Sequence, residues 1–71
     1  MAAIASLGRS RDPRALPPLI TLLGDGSRGI REASVRALGA FGPGAVEPLI
    51  GALGDGDWHI RMGSSIALRI I

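Results

Sequence analysis

Ala15-Leu16-Pro17-Pro18-Leu19-Ile20 followed by Leu23-Gly24-Asp25-Gly26 returns 30 residues later as Ala45-Val46-Glu47-Pro48-Leu49-Ile50 followed by Leu53-Gly54-Asp55-Gly56. The echo runs on. Ile30-Arg31 falls on Ile60-Arg61, Ser34 on Ser64, and Ala37-Leu38 on Ala67-Leu68. Residues 15–41 set against 45–71 give 13 identities over 27 positions. Self-similarity at a period of this size marks a stacked-repeat architecture, in which each unit buries its apolar face only against its neighbours. Upstream, Ser6-Leu7-Gly8 falls on Ala37-Leu38-Gly39 at a shift of 31, a fainter partial copy.

Each copy reads as two helices. Asp12 is a capping candidate, and Pro13 and Pro18 stand where a first turn tolerates proline. Leu16, Leu19, Ile20, Leu22 and Leu23 then share one helical face. Gly24-Asp25-Gly26 stops that helix, and Ser27 caps the next. There Ile30, Ala33, Ser34, Ala37, Leu38 and Phe41 recur at i, i+3, i+4, i+7, i+8 and i+11, before Gly42-Pro43-Gly44 ends the run. The second copy repeats the plan, with Asp57 as its second cap. Small residues at Ala33, Ser34, Ala37, Gly63, Ser64 and Ala67 allow close helix approach. No segment alternates as a strand would. The expectation is an all-α solenoid of stacked antiparallel helical hairpins, with helices at 2–9, 13–23, 28–41, 45–53 and 58–71. It forms one domain over 1–71: a trailing helix of a partial repeat (1–9) and two repeats (13–41 and 45–71).

Composition removes several classes of function. The chain has 71 residues, no cysteine and one histidine, which excludes a disulfide framework and a cysteine–histidine zinc site. Its eight basic residues are all arginine, and six acids leave a net charge of +2, too small to argue for nucleic acid unaided. No apolar run approaches the roughly 18 residues that span a bilayer. The opening MAAIASLGR lacks the basic leader of a signal peptide, so a cytoplasmic protein without membrane contact is expected.

The pattern Ala-x-x-Pro-Leu-Ile-x-x-Leu-x-Asp, then Arg six residues on, then x-x-Ser/Ala-x-x-Ala-Leu, resembles the short HEAT-like repeats of the phycobiliprotein lyase type. It covers about 15–71. The resemblance implies fold more than function. It also implies a structural ladder of Asp25, Arg31, Asp55 and Arg61, with the loop carboxylates taking hydrogen bonds from backbone amides or from the arginines. In the family such arginines bridge neighbouring units, and a guanidinium fork suits that role because it serves two acceptors. Deoxyhypusine hydroxylase resembles this fold and holds iron on His-Glu motifs. His59 is followed by Ile60, so those ligands are absent and the activity does not carry over.

Other candidate chemistry is thin. Asp55 and Asp57 are spaced like the opening of a calcium loop, but the twelfth position from Asp55 is Ile66 and from Asp25 is Arg36. Neither Gly-Asp-Gly turn leads into the Gly-Lys-Ser/Thr of a phosphate loop. The serines have no histidine or elbow context beside them. No catalytic, cofactor or metal residue is expected. Arg9, Arg11, Arg14, Arg28 and Arg36 could face phosphates, as in HEAT-like proteins that bind DNA, but acids interrupt them and stacking aromatics are scarce.

The last helix departs from its repeat. Trp58, Met62, Ile66 and Ile70 form a second apolar stripe at i, i+4, i+8 and i+12, where the preceding copy has Arg28, Glu32, Arg36 and Ala40. A helix apolar nearly all round is normally covered. The expected function is therefore a non-enzymatic protein-interaction scaffold that associates with itself through this stripe, as a homodimer or higher oligomer. A nucleic-acid-binding module using the five arginines, and an accessory subunit related to bilin lyases, are the alternatives.

Overall fold

The structure, a computed structural model, describes Ile4 and residues 8–71. All regular structure among the described residues is helical. Ile4 and residues 8–10 are helical; the rest of the helix expected at 2–9, Leu7 included, lies outside the described residues. Arg11 then takes a left-handed φ of 53° and turns the chain into the first repeat.

Each repeat opens on a proline-led 3-10 turn, Pro13–Ala15 or Pro43–Ala45, that runs into a short helix. We name these helices α1 (Leu16–Leu22) and α3 (Val46–Ala52), and the longer ones that follow α2 (Arg28–Phe41) and α4 (Trp58–Ile70). The helices at 13–23 and 45–53 expected from periodicity are thus each a 3-10 turn plus an α-helix. Proline fixes φ for such a first turn and has no N–H to lose there. The caps are those the sequence marks. Asp12 Oδ1 accepts from the Arg14 amide at 3.0 Å, Ser27 Oγ from the Ile30 amide at 3.4 Å, and Asp57 Oδ1 from the His59 amide at 2.8 Å. Gly42 ends α2 at φ 86°, a backbone conformation that a side chain would strain.

The helices form two layers. α2 and α4 lie side by side, with the first helical segment on the other flank of α2; α1 and α3 form the second layer. Between the layers Leu16, Leu19, Leu23, Ala37, Leu38, Phe41, Ala45, Leu49 and Ala67 make one continuous core, joined by Ile4. Small residues set the spacing. Gly63 lies under Leu23, and Ser34 and Ser64 are fully buried. The Ser34 hydroxyl donates to the Ile30 carbonyl at 2.8 Å, whereas the Ser64 hydroxyl has no partner.

Candidate interaction surface

The turns build a repeated motif. Asp25 Oδ2 accepts from the Ser27 amide and Asp55 Oδ1 from the Asp57 amide, each at 2.8 Å. Arg31 Nη1 donates to the Asp25 carbonyl at 2.6 Å, and Arg61 Nη1 to the Asp55 carbonyl at 2.7 Å. The arginines thus reach the backbone oxygen of the aspartate six residues back, not its carboxylate. Both bonds lie inside one repeat, so they tie each turn to its own second helix and do not bridge neighbouring units. Arg31 is half-buried and Arg61 exposed. We predict that Arg31→Ala lowers stability by about 1–2 kcal/mol, since a charged donor is lost from a partly buried carbonyl, and that Arg61→Ala costs less. Chemical denaturation of the two variants decides this; equal effects would show that burial does not set the strength of the motif.

The arginines offered for phosphate binding do not act as one free cluster. Arg14 grips Asp12 through Nε and Nη2, with a shortest contact of 2.7 Å, and Arg28 Nε meets Glu32 at 3.0 Å. The Arg14 guanidinium holds the Asp12 carboxyl below its ordinary range. The stabilisation from that pair is present above the ordinary carboxylate range and is lost as pH falls through the lowered value. No group of three or more possible metal ligands forms among the described residues.

The apolar stripe of α4 stands beside α2. Trp58, Met62 and Ile66 line a groove of about 430 Å³ between these helices, with Leu23, Val35 and Gly63 as its floor and Arg28, Arg31 and Glu32 along its rim. The stripe therefore faces the preceding repeat's long helix and not the outer end of the stack. Trp58 is 56% exposed, Met62 and Ile70 are also exposed, and Ile66 is half-buried. Ile70 sits beyond the groove, against Gly39. The Trp58 ring stacks on His59 with centroids 4.0 Å apart, and His59 Nδ1 is buried without a hydrogen-bond partner. A second groove, between Arg9 and α2, is lined by Gly29, Ala33, Ala37 and Ala40 under Arg9, Glu32 and Arg36.

A second exposed patch escapes the sequence reading. Leu23 is 1% exposed, but its repeat equivalent Leu53 is 41% exposed and Ile50 is 55% exposed. Repeat two covers the first of these positions, and nothing among the described residues covers the other two.

Stacked helical hairpins with a shared core and an open groove define an α-solenoid of repeats. Residues 1–25 match the family model described as PBS lyase HEAT-like repeat, and residues 15–45 match the one described as HEAT repeat. Together they span 1–45, and the duplication carries the same pattern to residue 71. The chain is a HEAT-like repeat protein. Comparison with curated proteins gave no match. HEAT repeats generally mediate protein interactions. No described helix is long and apolar enough to cross a membrane.

Proposed function

We propose that this chain is a non-enzymatic protein-interaction scaffold, acting as one 1–71 unit in the cytoplasm, and that it associates with itself through Trp58, Met62, Ile66 and Ile70. The observation that carries the reading is the apolar stripe on a groove wall where the preceding repeat is polar. Arg28, Glu32, Arg36 and Ala40 keep α2 compatible with water; their counterparts on α4 do not. Covering large apolar side chains returns about 1.5–3 kcal/mol for each one fully buried. Three exposed members of one stripe therefore supply a strong drive to associate. The fold supports binding because a solenoid offers surface rather than a pocket for chemistry.

Light scattering at micromolar concentration tests the reading. The expected species is a dimer or larger, and Ile66→Glu reduces it to a monomer. A folded wild-type monomer would overturn self-association. Nucleic-acid binding has less support, because Asp12 and Glu32 engage two of the five arginines. A steep fall of DNA affinity with salt would restore it.

A further inference from the structure

The second exposed patch has a defined chemistry. Glu47, Ile50 and Leu53 follow one another at three-residue spacing along α3 and its C-cap, and all three are exposed. Gly51 and Gly54 beside them carry no side chain, and a Cβ at Gly51 would meet nothing within 4 Å. The inner junction shows that this face is built to be covered. There Gly24, the equivalent of Gly54, lies against Asp57 and Ile60, and Leu23 lies on Gly63.

A further hairpin stacked in the same register would meet a changed second layer. At the inner junction Val35 borders the next long helix and Gly39 receives Ile70. The equivalents on α4 are Ser65 and Arg69. A polar residue and a long cation stand where in-register stacking needs an apolar contact and a bare backbone. The outer end thus combines an apolar, acidic first layer with a polar, cationic second layer.

Resting on the self-association proposed above, we infer that the Glu47–Ile50–Leu53 patch of one copy docks into the Trp58 groove of a second copy. The two surfaces complement each other. The groove offers Trp58, Met62, Ile66 and Val35 to Ile50 and Leu53, at a volume within the range of about 300–1,000 Å³ seen for ligand-binding clefts. Its rim carries two arginines and one glutamate, facing the single acid Glu47. Arg31 commits one of its five donors to the Asp25 carbonyl, and Arg28 commits Nε to Glu32, so both forks retain donors for a carboxylate. Such a contact is heterologous: it uses different surfaces on the two copies, and it propagates into a ring or a chain.

Complementary variants test it. Met62→Glu spoils the groove but installs the residue that Glu32 already provides at the equivalent site, so the fold tolerates it. Ile50→Glu spoils the patch at an exposed position. Sedimentation velocity is run on each alone and on their equimolar mixture, with helicity checked by circular dichroism. Each variant alone is expected to be monomeric, and the mixture to give a complex of one copy of each. If Ile50→Glu alone still dimerises while Met62→Glu does not, the stripe pairs with itself; the docking is overturned and self-association stands. If Met62→Glu alone still dimerises, the patch pairs with itself and the groove plays no part. A mixture that stays monomeric while wild type associates also overturns the docking. Wild type that is itself monomeric removes the underlying reading.

Discussion

Leu38→Ala should unfold much of this protein. Leu38 is fully buried between the layers, in the core shared by both repeats. Removing a buried leucine side chain costs about 2–5 kcal/mol, through lost transfer energy and the cavity left behind. Natural domains hold only about 0.05–0.15 kcal/mol per residue, so the loss is a large share of what 71 residues supply. At roughly 4–8 °C per kcal/mol for a domain of this size, the melting temperature should fall by at least about 8 °C. Leu68→Ala is the internal control. It changes the repeat-equivalent residue, which is only half-buried at the outer end, and should cost about half as much or less. Thermal melts of both decide the point. Equal losses would mean that stacking of one repeat on the next does not set burial.

Gly8→Ala should release the first helical segment from α2. A Cβ at Gly8 would lie 2.6 Å from the Ala37 carbonyl oxygen and 2.7 Å from the Ala37 Cα. Both atoms are backbone, so no rotamer change relieves the clash. Overpacking of this kind costs about 1–3 kcal/mol, and it uncovers Ile4 and Ala37, both buried in the intact stack. Hydrogen exchange should show faster exchange at residues 8–10 with little change in α4. Gly51→Ala makes the useful contrast. Its Cβ would meet nothing within 4 Å, so no clash opposes it and stability should not fall. A Gly8→Ala variant as stable as wild type would show that the segment does not pack against α2 this closely.

The fold was legible in the sequence for a physical reason. A 3.6-residue apolar period, proline at first turns and glycine after last turns are local signals, and here each occurs twice. The 3-10 lead-ins at Pro13 and Pro43 were less legible, because proline favours a first turn of either helix type. The six-residue spacing of Asp25 and Arg31 brought the residues together but did not specify which oxygen the guanidinium meets. In the structure the guanidinium meets the backbone carbonyl, while the carboxylate takes the Ser27 amide. The stripe on α4 was visible as a sequence anomaly, yet its seat on the groove depends on how α2 and α4 pack. The Ile50 and Leu53 patch was hidden because, of the same residue types one repeat earlier, Leu23 is core and Ile20 packs against it. The available signal was the break from Val35 and Gly39 to Ser65 and Arg69.

Trp58 is the only tryptophan in the chain, and it sits on the stripe held to be the contact surface. Its fluorescence against protein concentration, read beside light scattering on the same samples, therefore tests the self-associating scaffold most directly. The emission maximum should move to shorter wavelength as wild type associates, because an exposed indole becomes covered, and Met62→Glu should show neither the shift nor the association. Emission that stays constant while the particles grow would place the contact elsewhere, and wild type that remains monomeric with constant emission would contradict the proposal outright.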